Sequence, residues 1–206
     1  MVGFNWQLDD LTHIAAEHKY TFYKPSPEVL SKVSVGEVVK LIFRGPGDDA
    51  SEVHVERMWV LVDAVNPGAR FEGRLDNDPF HIRGLQAGDP VSFEARHIIN
   101  TEHHDPHDVT ARYIKRAFVT NRILHDGQPI RFLYREAPDE ENDSGWRFTA
   151  GDETDEYMQD TANIRYVTLG AVLSKDDSVL HLLDEPTGSS FKRDDVSGLF
   201  VADSRA

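Results

Sequence analysis

The chain has 206 residues, enough for one large domain or two small ones, and its 39% hydrophobic content suffices for compact cores. No run approaches the roughly 20 consecutive apolar residues of a membrane-spanning helix, and the complete lack of cysteine excludes disulfides, thiolate zinc sites and cysteine nucleophiles. A formal charge of −14 repels phosphate backbones, which argues against nucleic-acid binding, and favours capture of basic proteins.

Met1 to Asp10 has neither a basic start nor an apolar run, so no signal peptide is expected and the cytoplasm is the expected compartment. A short helix is expected around Leu8 to His18. Short strands separated by turns follow. Val35 to Phe43 opens on a turn glycine and is broken by Arg44-Gly45-Pro46-Gly47-Asp48-Asp49. Val53 to Val65 is a longer strand with Met58 to Val62 as its buried centre, and Ala69 to Leu75 is closed by Asp76-Asn77-Asp78-Pro79. Leu85 to Phe93 repeats the pattern of Val33 to Leu41, a glycine and an acid at a turn and then a strand. Such spacing predicts a small, partly open β-barrel. The polar segment Asn100 to Asp108 fits neither period and marks a boundary. The expected division is a β-barrel-like domain over 1–100, a linker over 101–112, a second domain over 113–200 and a tail over 201–206.

In the second half, Tyr113 to Leu124 reads as a strand, and Ile130 to Tyr134 as its hairpin partner across the turn at His125 to Pro129. An acidic loop covers Glu136 to Asp143, ahead of a short strand over Ser144 to Thr149. A second acidic stretch, Gly151 to Asp160, precedes a strand over Tyr166 to Leu173, a short helix over Ser178 to Leu183 and a last turn and strand at Thr187 to Phe191. The whole reads as α+β, with a mixed C-terminal domain.

Two blocks resemble known families. Phe22-Tyr23-Lys24-Pro25, Glu56-Arg57-Met58-Trp59-Val60 and Gly73-Arg74-Leu75-Asp76-Asn77-Asp78-Pro79 make Tyr20 to Ile99 similar to a bacterial domain family without an assigned function. Leu133-Tyr134-Arg135-Glu136, Asp143-Ser144-Gly145-Trp146-Arg147-Phe148, Gly151-Asp152-Glu153, Asp155-Glu156-Tyr157 and Gly188-Ser189-Ser190-Phe191 make Ile114 to Phe200 resemble the immunity protein family numbered thirty-three. Thr149-Ala150 departs from that family's pattern. The resemblance implies a bacterial polymorphic-toxin system, in which such a protein neutralises a cognate toxin.

Between Glu136 and Asp160 stand ten carboxylates and one basic residue, Arg147. This density suits either a solvated face or a surface laid over the basic cleft of a toxin, with charge-assisted bonds to its Lys and Arg. The candidate partner-binding residues are Asp139, Glu140, Glu141, Asp143, Asp152, Glu153, Asp155 and Glu156. The Asp-x-Asp-x-Asp-Gly pattern of an EF-hand is absent, and no acid stands isolated in an apolar run, as a pKa-shifted catalytic carboxylate would. His103, His104 and His107 are weak metal-ligand candidates in a linker without helical spacing. Trp59 and Trp146 are expected in the cores with Arg147 pointing outward, and Gly145 and Gly151 at turns.

No catalytic residue, cofactor or resident metal is expected. The expected function is non-catalytic: an immunity protein that occludes a basic toxin active site with acidic loops, with neither nucleic acid nor membrane as partner. The alternatives are a housekeeping adaptor without a toxin partner and, more weakly, a metal-dependent hydrolase using the histidines.

Overall fold

The computed structural model describes residues 6–49 and 51–203. Readings that fall on residues 1–5 of the N-terminal segment and 204–206 of the tail lie outside the described residues. The chain divides into two compact units, Met1–Asp108 and Val109–Ala206, and is α+β, as expected. Among the described residues no helix is long and apolar enough to cross a membrane.

The first unit is built on strands β1 (Gln7–Leu8), β2 (Val38–Pro46), β3 (Val53–Asn66), β4 (Arg70–Leu75), β5 (Pro90–Glu94) and β6 (Ile98–Thr101), with short helices α1 (Leu11–Glu17) and α2 (Pro27–Leu30). Strands β1 to β5 pair in chain order, and β6 pairs β2 beside β1, so the six-stranded sheet curls into a half-barrel. Register shifts in β2 and between Val62 and Ala64 of β3 sharpen the curl. Strict alternation puts Val39, Leu41, Phe43, Met58, Val60 and Val62 inside. Gly73 lies where β4 crosses that second bulge, and a Cβ there would stand 2.3 Å from the Leu61 carbonyl oxygen. Trp59, expected in the core, is only half-buried: it sits one residue out of phase with Met58 and Val60, on the outer face under the Lys40 ammonium at 4.4 Å. The predicted break at Arg44 is overridden because β2 continues to Pro46 opposite Val53.

The expected linker is two different things. Thr101 ends β6, and the buried Asp105 carboxylate accepts from the Ser26 amide (2.7 Å), the His107 amide (2.9 Å) and the Tyr23 hydroxyl (3.2 Å), which ties 101–108 to the first unit. Val109–Arg112 is helix α3 of the second unit.

In the second unit, β7 (Arg116–Thr120) runs into helix α4 (Asn121–Leu124). Strands β8 (Phe132–Arg135) and β9 (Asp143–Thr149) follow, then α5 (Asp155–Gln159), β10 (Ile164–Thr168), α6 (Leu169–Leu173), a 3-10 helix over Asp177–Leu182, β11 (Ser190–Arg193) and β12 (Phe200–Ala202). The sheet order is β10-β7-β9-β8-β11-β12. The hairpin expected between β7 and β8 does not form: β9 inserts between them, parallel to β7 and antiparallel to β8. The run Tyr166 to Leu173 is half strand and half helix, because the Thr168 hydroxyl caps α6 by accepting from the Ala171 amide. Val201 and Ala202, read as tail, belong to β12.

Candidate functional site

The local device that shapes the second unit is the motif Asp143-Ser144-Gly145-Trp146-Arg147 at the head of β9. Two residues of β7, Arg116 and Phe118, face Asp143 and Arg147, so four residues of β9 are compressed against two of β7. In a regular strand, residues four apart are separated by about 13 Å along the axis. Here the bulge folds Arg147 back, and its Nη1 and Nη2 donate to the two oxygens of Asp143 at 3.0 and 2.9 Å. Gly145 makes the bulge possible: its φ is +80°, and a Cβ would stand 2.2 Å from the Glu136 carbonyl oxygen. The Gly145 and Asp139 amides also donate to Asp143. The Arg147 hydrogen bonds and these amides hold the Asp143 carboxyl at about 2 despite burial. Arg147 therefore lies on the strand face opposite Trp146, yet folded back along the sheet rather than extended into water. It is 7% exposed, because Asp143, Glu136 (3.1 Å) and the Phe118 ring (4.8 Å) together replace its water. Trp146, one step out of phase, is fully buried on the other face and donates through Nε1 to the Leu183 carbonyl oxygen at 3.2 Å.

These two faces differ in what covers them. The Trp146 face carries Ala117, Val119, Leu133 and Phe148 and is closed by α6 and the 3-10 helix, whose Val172, Leu173, Val179 and Leu182 are buried. The opposite face stays open. Across it runs one row of register partners, Tyr166 on β10, Phe118 on β7, Arg147 on β9, Tyr134 on β8 and Ser190 on β11. Phe118 and Tyr166 stack at 4.8 Å. Met158 of α5 leans over this row between two cavities. One, of about 260 Å³, is lined by Phe118, Tyr134, Met158 and Ile164, and the other, of about 890 Å³, by Phe132, Tyr134, Asp152, Met158 and Lys192 among others.

The predicted acidic residues do not form one cluster. They make two rims at opposite ends of β9. At the first rim, Asp139, Glu140 and Glu141 are exposed. Asp139 lies 3.6 Å from Arg147, and Glu140 accepts from the Tyr166 hydroxyl at 2.8 Å, whose pKa is pushed up to about 12 by desolvation and by that carboxylate. Asp143 faces inward and is consumed by Arg147. At the second rim, Asp152 pairs with Arg122, which lies over the Tyr157 ring, while Asp155 and Glu156 stand exposed in the first turn of α5. Glu153 is engaged with the fold: it accepts from the Thr120 hydroxyl (2.6 Å) and from the Ala150 and Gly151 amides (both 2.8 Å), and so fixes the turn in which Gly151 has a φ of +82°.

The histidines point to separate partners. His103 faces Glu37 at 3.1 Å, His107 faces Glu28 at 3.4 Å, and His104 is exposed. Among the described residues no three His, Cys, Asp or Glu are grouped to hold a metal ion. The aromatic row was missed in the sequence because Phe118, Tyr134 and Tyr166 lie far apart along the chain. The available signal was local: in Phe132-Leu133-Tyr134 and Ala117-Phe118-Val119 large apolar residues occupy both phases of the strand, which leaves one phase without a core to enter.

Residues 117–202 match the family model described as the immunity protein Imm33 domain. The match covers β7 to β12, the whole open-faced sheet, and none of the first unit. No curated protein and no solved structure matches the chain. The second unit is thus similar to a domain of immunity proteins, which supports an immunity-protein role in general.

Proposed function

We propose that this protein is an immunity protein that acts in the cytoplasm by occluding a basic toxin surface, and that the carboxylates on the two rims of the open sheet face make the contact. The observation that carries this reading is that six of the predicted acids, Asp139, Glu140, Glu141, Asp152, Asp155 and Glu156, remain exposed on one domain, while the one basic residue among them is buried and neutralised. Even with Asp152 offset by Arg122 the remaining five acids leave the rims net negative, and a cationic cleft that loses its water against them gains charge-assisted hydrogen bonds. Asp143 and Glu153 stand behind these residues and set the loop shapes. The test is co-expression with the toxin encoded beside it. Asp139, Glu140 and Glu141 reversed together to Lys should remove protection while the melting curve stays near wild type, since exposed substitutions typically move stability by about 0.5 kcal/mol each. Reversal of Glu17 and Glu72 in the first unit should protect fully. Full protection by the rim variant, with loss in the control, would place the contact on the half-barrel.

A further inference from the structure

Between the two rims the open face is neither acidic nor flat. The smaller cavity, about 260 Å³, is walled by Phe118, Ile164 and Met158, with Tyr134 and Thr161 at its edge. Phe118 and Met158 each keep 37% of their surface exposed although they sit on a folded sheet and its covering helix. The single charge in the wall, Arg147, is already paired with Asp143 and Glu136. The cavity lies below the roughly 300–1,000 Å³ of small-molecule sites and suits an inserted side chain. An apolar hollow with an acidic rim at either end of its strand has the anatomy of a binding hot spot: an apolar centre gives burial, and the charged rims steer and orient the partner. The charge also selects the occupant. Carboxylates at both ends of β9 repel nucleotides and acidic segments, and the chain's own charge of −14 opposes a second copy.

Resting on the immunity reading, we infer that this hollow receives one large apolar side chain from a partner segment in which that residue is flanked by Lys or Arg, the flanking cations pairing with the two acidic rims. The apolar anchor supplies most of the affinity and the cations supply the register. Met158, with an unbranched and adaptable side chain, forms the movable wall.

The experiment uses the full chain labelled at the methionine methyls and a fluorescent synthetic peptide, Gly-Lys-Arg-Phe-Arg-Lys-Gly. Met58, 1% exposed in the first unit's core, is the internal reference for Met158. The peptide should shift the Met158 methyl signal to saturation and leave Met58 in place. Replacing its Phe by Ser, or its four cations by Glu, should weaken binding at least tenfold. Thr161→Trp, which fills the cavity from its rim, and Met158→Lys, on the exposed side of α5, should each weaken it by at least tenfold in fluorescence anisotropy. An unmoved Met158, equal affinity for the Ser peptide, or a Met158 shift that tracks protein concentration alone would overturn the inference, the last by making the face a contact between copies. Protection of cells separates this from the broader reading. A wild type that fails to protect yet captures the peptide sinks the immunity reading and leaves the hollow. A wild type and a Thr161→Trp variant that protect equally, with the peptide unbound, sink the hollow alone.

Discussion

Arg147 shows how much a single side chain can be misread. Followed by Phe148 and preceded by a tryptophan, it looks like the outward half of an alternating strand, and Trp146 was legible as core for that reason. The burial of Arg147 on the open face depends on the bulge at Gly145 and on an acid four residues earlier, a pairing that helical spacing suggests and strand spacing forbids. Trp59 failed in the opposite sense, because phase and not size decides which residues of β3 enter the core. The buried pair makes a sharp prediction. Arg147→Ala leaves the Asp143 carboxylate without its cation and should cost about 3–5 kcal/mol, read by urea denaturation. Asp143 itself has its pKa lowered from 3.8 to about 2, so the folded state binds its proton less readily than the unfolded one. The stability this confers, about 2 kcal/mol, is fully present above roughly pH 4 and is lost as pH falls from there through about 2. Asp143→Asn should be less stable than wild type at pH 7 and should lack this acid-dependent loss. Parallel losses in the two proteins between pH 4 and pH 2 would show that other groups govern acid unfolding.

At the level of elements, β3 and β4 of the first half were read nearly to the residue because each pairs with its neighbour in sequence, so turns and alternation carry most of the information, whereas β1 and β6, which both pair β2, were not read. The second half resisted. Its central strand β9 sits between two strands that precede it, and no local pattern announces a parallel partner more than 20 residues upstream. The segment 101–108 was misjudged because its anchor is a contact with α2 and the residues before it, remote in sequence: Asp105 binds the amide of Ser26, the N-cap of α2. Removing that carboxylate by Asp105→Ala should release the segment, seen as faster hydrogen exchange at the Ser26 and His107 amides with β3 unaffected. Unchanged exchange at both would mean that the surrounding packing holds the segment without Asp105. Replacement of His103, His104 and His107 by Ala removes only two partly exposed pairs and should cost less than about 1 kcal/mol by melting, with toxin protection intact.

For the molecule as a whole, the charge of −14 sets kinetics more than stability. Association with a cationic partner should slow by an order of magnitude or more as salt rises from about 0.02 M to 0.5 M, while dissociation changes little; stopped-flow rates that ignore salt would leave the acids as a solubility device. The open-faced sheet also carries a consequence for how the protein is made. Its middle is laid down first: β7, β8 and β9 complete the Asp143–Arg147 clamp, and only later does the ribosome supply β10 for one flank and β11 and β12 for the other. Roughly 50 residues separate the end of β9 from β12, or about 3–10 s of translation at about 5–20 residues per second. In that interval β7 waits for β10 and β8 waits longer for β11, while an aromatic face that stays open in the finished protein is exposed, the surfaces that invite misassembly. High expression thus depends on holding this half-built sheet apart from its neighbours on the same polysome.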